Sequence, residues 1–208
     1  MKLLILGATG GIGIELVRQA IDRGHSVTAY VRRPEGLDDF GGRISIETGN
    51  LLDAVELARV LRGHDVVLSA FGPRVSIAKR DAHLLRDFST ALVNAMKQAK
   101  VRRAIVVSTA FLFKDSLLPP VYLLGRLFFP AVVADATEME KTLRASGQDV
   151  VIVRPPELKD KPRSGRYRVR DGHLPRFWLS IARADVADYM IQRAESGDFR
   201  ISVVGLAS

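Results

Sequence analysis

The sequence predicts an α/β protein with a doubly wound, mostly parallel sheet and helices on both faces. Two observations carry that expectation. Short apolar runs, suited to strands buried on both faces, alternate along the chain with segments whose apolar residues recur at helical spacing. The first run, Leu3-Leu4-Ile5-Leu6, opens directly into a glycine cluster and then a helical stripe. Strand, helix and strand in succession imply right-handed βαβ crossovers and hence parallel pairing.

After Leu3 to Leu6, a helix carries Ile14, Leu16, Val17, Ala20 and Ile21 on one face. Ser26 to Val31 is a β-branched strand preceded by Gly24, and Arg43 to Thr48 reads as another strand. Asp53 is placed as an N-cap, with Glu56 completing a capping box, on a helix through Leu57, Val60 and Leu61 to Gly63. Asp65 to Ser69 is a buried strand. Leu84, Leu85, Phe88, Leu92, Val93 and Met96 form the clearest amphipathic stripe, on a helix from about Arg80 to Ala99. Ala104 to Ser108 is the next strand, and a helix from about Asp135 carries Met139 and Leu143 to Gly147. Val150 to Val153 is a sixth strand, stopped by Pro155-Pro156. A helix over Asp185 to Ala194 and a strand near Ile201 to Val204 close the chain. No repeat or linker divides it. One domain over residues 1–208 is expected, and that length buries roughly 70% of the surface an unfolded chain exposes.

Composition excludes several classes. With no cysteine, disulfide scaffolds, thiolate metal sites and cysteine nucleophiles are ruled out, and a reducing, cytoplasmic location is expected. Met1 runs straight into the first strand without a cleavage signature, so a secretory signal is not expected. His25, His64, His83 and His173 lack ligand spacing, and no metal site is expected. The 31 basic and 23 acidic residues give a net charge of +8. Six of the basic residues, Lys159, Lys161, Arg163, Arg166, Arg168 and Arg170, fall within twelve positions. With only Tyr167 among them and no nucleic-acid motif, this run reads as a solvated loop and strand, and no nucleic-acid partner is expected. Leu117 to Ala134 is almost wholly apolar but is broken by Pro119-Pro120, Gly125-Arg126 and Pro130. A charge at mid-membrane costs about 3 kcal/mol, so stable insertion is not expected; a lid or an oligomer contact is.

Ligands of doubly wound sheets bind beyond the C-terminal strand ends, so those ends are the candidate site. At the first end lies Gly7-Ala8-Thr9-Gly10-Gly11-Ile12-Gly13. Glycines allow a sharp turn and close approach to a bulky anion, and the helix that follows aims free N–H groups at it. The spacing 7, 10, 13 departs from strict G-x-G-x-x-G at Thr9. Gly7, Thr9, Gly10, Gly11, Ile12 and Gly13 are therefore candidates for a dinucleotide pyrophosphate. The second strand ends at Arg32-Arg33, where an enzyme using NAD places an acid on the ribose 2′-hydroxyl. A guanidinium fork suits a 2′-phosphate instead, so NADP(H) is expected over NAD(H). Asn50, with Leu51 beside it, could meet the adenine. Ala70, Phe71 and Gly72 let the fourth strand end pass close to the ribose. Ser108 and Thr109 place two hydroxyls near the nicotinamide position, though local capping also accounts for such residues. Pro155 follows the sixth strand. Phe71, Phe111, Phe113 and Tyr122 suit either a flat apolar pocket or the core.

The segments Gly7 to Gly13, Val31-Arg32, Gly49-Asn50, Val107-Ser108-Thr109-Ala110-Phe111 and Val153-Arg154-Pro155-Pro156 stand in the order found in atypical short-chain dehydrogenase/reductases. The chain resembles their NAD(P)H-binding, NmrA-like group, and within it the biliverdin-IXβ/flavin reductases. Arg183-Ala184-Asp185-Val186-Ala187 also matches a segment common in that group. The resemblance implies a Rossmann-like fold, NADPH on the glycine turn and Arg32, and hydride delivery to a flat conjugated acceptor. It departs at three places. The Tyr-x-x-x-Lys of ordinary short-chain enzymes is replaced by Tyr122, fourteen residues after Ser108, with Arg126 four further on. Arginine supplies a positive field but cannot lose a proton. In the flavin and biliverdin reductases the hydroxyl corresponds to Thr109, and a His commonly follows the two prolines where Glu157 stands here. The Leu117 to Ala134 stretch is also longer.

The expected function is an NADPH-dependent reductase acting on a small flavin, quinone or bilin-like molecule. Ser108, Thr109 and Tyr122 are its catalytic candidates, and residues from about 155 to 208 help form the substrate pocket. The alternatives are a non-catalytic NADP-binding regulator of the NmrA-like kind and a nucleotide-sugar epimerase or dehydratase.

Overall fold

A computed structural model describes residues 1–72, 83–113, 130–175 and 179–208. Its strands are β1 (Lys2–Leu6), β2 (Ser26–Val31), β3 (Ser45–Thr48), β4 (Val66–Ser69), β5 (Arg103–Val107), β6 (Asp149–Arg154), β7 (Glu157–Lys159), β8 (Arg168–Asp171), β9 (Ser180–Ala182) and β10 (Ser202–Ala207). The helices are α1 (Gly11–Asp22), α2 (Ala54–Leu61), α3 (Leu84–Ala99), α4 (Pro130–Ala145) and α5 (Arg183–Ser196).

Eight strands form one sheet in the order β3-β2-β1-β4-β5-β6-β10-β8. All neighbours pair parallel except β10 and β8, which are antiparallel. The order runs outward from β1 in one direction and from β4 in the other, so the switch point lies between those two strands. β7 and β9 make a separate parallel pair.

The first strand shows why the sheet is covered twice. Leu3 and Ile5 point into a core shared with Leu16, Val17 and Ala20 of α1 and Val186 and Met190 of α5. Leu4 and Leu6 point the other way, onto Leu57 of α2, Phe88 and Leu92 of α3, and Met139 of α4. All four strand residues are fully buried, each contributing about 1.5–3 kcal/mol relative to exposure. The doubly wound, mostly parallel arrangement expected from the apolar runs is therefore present.

Three local expectations change. α4 begins at Pro130, a residue suited to a first helical turn, and Asp135 lies inside the helix. Its buried carboxylate instead accepts from the backbone N–H groups of Leu85 (2.8 Å) and Arg86 (2.9 Å), supplying the anion that the start of α3 lacks in its own His83. Asp53 does cap α2, accepting from Val55 and Glu56. The capping box does not close, because Glu56 Oε2 turns to the Asn50 N–H (3.2 Å) and the buried Tyr30 hydroxyl (3.3 Å). Burial, and next the Glu56 charge, push the Tyr30 phenol up to about 12. Finally, β7 and β9 are strands that the sequence does not announce, whereas the basic run ends, as expected, in a solvated strand, β8. All four residues of β8 are exposed, so Arg168 and Arg170 of the basic run stand on a solvated edge.

α5 is locked to α1 by charge as well as packing. Asp188, 1% exposed, accepts from Arg23 at the end of α1, Arg163 (3.1 Å), Tyr167 (2.9 Å) and Gln192 (2.7 Å). Burial and the Asp188 carboxylate raise the Tyr167 phenol above its usual range. Asp185 accepts from the Ser164 and Gly165 N–H groups and the Ser164 hydroxyl, fastening the turn before β8. Among the described residues no helix is long and apolar enough to cross a membrane.

Candidate functional site

The glycine turn leaves β1 at the switch point. Gly7 adopts φ +75°, and a Cβ there would lie 2.8 Å from the Phe71 nitrogen and 2.9 Å from the Ala70 carbonyl carbon. Both the turn and the close passage of the β4 end therefore require glycine. A Cβ on Gly13 would lie 2.1 Å from the Gly7 oxygen, so the first turn of α1 is seated against the loop that precedes it. Gly10 donates to the Gly7 oxygen (3.0 Å), and the first helical bond runs from the Ile14 N–H to the Gly10 oxygen (2.8 Å). The N–H groups of Gly11, Ile12 and Gly13 thus precede the intrahelical ladder. Thr9, Gly10 and Gly11 form an exposed rim around them, while Ile12 is buried beneath. This cradle fits a pyrophosphate: open donors, a positive helix end, and glycines that put no side chain of their own in the way.

The other strand ends surround it. Arg32 and Arg33 are exposed after β2, with no ion pair among the described residues. Asn50 uses its side-chain oxygen to accept from the Leu52 N–H (3.0 Å), closing a local turn, and Leu51 is buried beside it. Ala70 continues the β1–β4 ladder through its N–H to the Leu6 oxygen (2.9 Å). Phe71 packs on Phe88 with ring centres 4.7 Å apart, and Gly72 is exposed. Beyond β5, Thr109 Oγ1 accepts from the Phe111 N–H (3.3 Å), and the Ala110 N–H donates to the Pro155 oxygen (3.2 Å). Phe113 is buried. Tyr122 and Arg126 lie outside the described residues, as does all of the apolar 117–134 stretch before residue 130.

Ser108 stands on a buried ionic network. Its hydroxyl donates to Glu140 Oε1 (2.7 Å). The same carboxylate receives Arg154 Nε (2.8 Å) and Nη2 (2.6 Å) in a two-pronged pair, and Arg144 Nη2 at 3.0 Å. Arg154 also lies over the Phe113 ring, 4.6 Å from its centre. With its proton committed to Glu140, Ser108 presents lone pairs outward; it is an acceptor in this arrangement. Glu140 and Arg154 were not singled out as site residues. The signal was there: Glu140 falls on the Ala136, Met139, Leu143 stripe at helical spacing, where an unpaired acid would not survive burial.

Arg183 stands in the sequence only as the first residue of the Arg183 to Ala187 segment, yet the fold brings it to the site. It donates to Asp160 Oδ1 at 2.5 Å. Next to its helix a cavity of about 570 Å³ opens, lined by Lys159, Lys161, Ser164, Arg166, Ala182 and Asp185 among others, all within residues 159–208.

A family model described as NAD(P)H-binding matches residues 7–196, beginning at the first glycine of the turn. The chain belongs to that family. The uncharacterized protein YwnB of Bacillus subtilis is 35% identical over 111 residues, 53% of this chain and 48% of its own length. An uncharacterized chloroplastic protein of Arabidopsis thaliana is 28% identical over 96% of the chain and 75% of its own length. The photosystem II assembly factor Ycf39 of Synechocystis is 29% identical over 52% of the chain, which spans 33% of Ycf39. The chain thus matches about half of YwnB and a third of Ycf39. Among solved structures, a short-chain dehydrogenase/reductase of Veillonella parvula in complex with NADP superposes with TM-score 0.80 at 19% identity, covering 100% of this chain and 94% of that one. The oxidoreductase ylbE of Lactococcus lactis gives 0.83 at 18% identity, with 100% and 91% covered. At such identities these two likenesses establish the Rossmann-like fold, and the family adds NAD(P)H binding.

Proposed function

We propose that the protein is an NADPH-dependent reductase delivering hydride to a small conjugated or aromatic acceptor of the flavin, quinone or bilin kind. The observation that carries this reading is the glycine cradle at the switch point, with two exposed arginines at the next strand end. In this reading the N–H groups of Gly11, Ile12 and Gly13 receive the pyrophosphate. Arg32, with Arg33, takes the 2′-phosphate, which favours NADP(H) over NAD(H). Asn50 and Leu51 border the adenine, and Ala70, Phe71 and Gly72 the ribose. When bound, the nicotinamide supplies the hydride. Ser108, an acceptor, suits the carboxamide NH₂ group and fixes which ring face is offered. Pro155 backs it. Because Glu140 engages the Ser108 proton, the proton that accompanies hydride comes from solvent or from the Thr109 hydroxyl, which only accepts within the fold. The resemblance to NmrA-like proteins and biliverdin-IXβ/flavin reductases supports the acceptor class. The partner is then a small molecule and not nucleic acid, and the absence of cysteine suits work in the cytoplasm.

A second reading is a regulator that binds NADP without chemistry. It is favoured by one observation: both hydroxyls beyond β5 are engaged by the fold, Ser108 with Glu140 and Thr109 with Phe111. Mixing the protein with NADPH and FMN or a quinone, and following loss of nicotinamide absorbance, separates the two. Turnover above buffer supports the reductase. Saturable NADPH binding without turnover across such acceptors selects the regulator.

A further inference from the structure

Arg183 opens α5, and its side chain runs across the rim of the glycine turn. A Cβ on Gly11 would lie 2.6 Å from Arg183 Cδ, 2.9 Å from Nε and 3.8 Å from Cζ. The guanidinium therefore stands beside the first N–H groups of α1. A cation and the positive end of a helix repel each other unless an anion serves both. The anion that the fold itself supplies is Asp160, whose Oδ1 accepts from Arg183 Nη1. Its side chain is 87% exposed, against 29% for Arg183. The acid is the loosely held partner, and so exposed a pair is weak.

The start of α5 that carries Arg183, by contrast, is placed firmly. Gln19 of α1 donates to the Ala184 oxygen at 2.9 Å, tying the residue after Arg183 directly to the helix whose start it covers. The Asp188 carboxylate joins Arg23, which caps the end of α1, to α5 one turn further on. A planar guanidinium carried on that helix start matches two phosphate oxygens better than it matches one mobile carboxylate.

We propose that Arg183 is a pyrophosphate-binding residue of the dinucleotide site, held ready by Asp160 until the phosphates displace that carboxylate. This rests on the cofactor reading above. It assigns Arg183 to the phosphates common to NAD and NADP, and leaves the 2′-phosphate to Arg32.

The test is calorimetric titration with NADP⁺, NAD⁺ and adenosine 2′-monophosphate, which lacks the pyrophosphate. Arg183→Ala should weaken NADP⁺ and NAD⁺ by one common factor of about ten to a hundred, the range for a charge-assisted bond, and leave the monophosphate unchanged. Asp160→Asn should tighten both dinucleotides severalfold, because it removes the competing anion. Thermal unfolding of Arg183→Ala without dinucleotide should match the parent; should that variant fold poorly, the Asp160→Asn titration still decides. Unchanged affinity in Arg183→Ala, loss confined to NADP⁺, or no tightening in Asp160→Asn would each overturn the proposal. Failure of the parent protein to bind any dinucleotide would instead remove the cofactor reading itself.

Discussion

Glu140→Gln is the most informative single perturbation of the folded state. Glu140 is 3% exposed and is the only acid facing Arg154, itself 8% exposed, among the described ion pairs. Four hydrogen bonds end on its carboxylate, from Ser108, Arg154 twice and Arg144. The Arg144 bond adds little, because that side chain is 49% exposed and screened by water. The Arg154 pair is the term that matters. Glutamine keeps the shape but removes the charge and turns an NH₂ toward the guanidinium donors, leaving Arg154 buried and uncompensated. Breaking a buried pair in this way costs about 3–5 kcal/mol, and the Phe113 ring beneath Arg154 argues for the lower end. For a chain of this size that corresponds to a fall in Tm of roughly 6–20 °C. Urea unfolding with and without Arg154→Met measures it. The double variant should be more stable than the sum of the two single losses predicts, since the partners share one interaction. A Glu140→Gln protein within about 0.5 kcal/mol of the parent, or strict additivity in the double variant, would refute the view that this network is a buried, mutually compensating pair.

Further outcomes follow from the same geometry. Gly13→Ala should push α1 off the turn, because its Cβ would meet the Gly7 oxygen at 2.1 Å; dinucleotide affinity, measured by nicotinamide fluorescence, should fall more than tenfold. The Tyr30 phenol is raised to about 12, so the stability it contributes is complete below pH 10 and lost as the pH rises through 12. Tyr167 and Tyr189 are shifted upward too, chiefly by burial. Absorbance titration should therefore show delayed phenolate formation that coincides with unfolding, and Tyr30→Phe should remove part of the alkaline loss.

The sheet was legible because its strands are buried on both faces. In that setting apolar runs such as Leu3 to Leu6 and Val150 to Val153 are continuous, and each element between them carries its own helical period. β7 and β9 were not legible: each is three residues long, and neither length nor alternation marks them. β8 was legible only as an unplaced strand within the solvated basic run. Asp135, read as a helix start, and Glu56, read as half of a capping box, misled for one reason: both reach other elements, α3 and β2, whose proximity only the fold creates. The glycine turn was visible as a turn and a helix start, but Arg183 lies 172 positions beyond Gly11, and no local pattern joins them. Glu140 was readable in principle, as an acid on an apolar stripe. Its bond to Ser108 was not, because it depends on how α4 lies over β5.

The central claim is that the turn at Gly7 to Gly13 and the arginine at the end of β2 make an NADPH site. Titration of the full chain with NADPH and NADH, followed by nicotinamide fluorescence in the parent and in Arg32→Ala, tests it most directly. Saturable binding of NADPH at least about tenfold tighter than NADH, with Arg32→Ala weakening NADPH alone, is the predicted result. Equal affinity for the two in the parent, or no saturable binding of either, would contradict it.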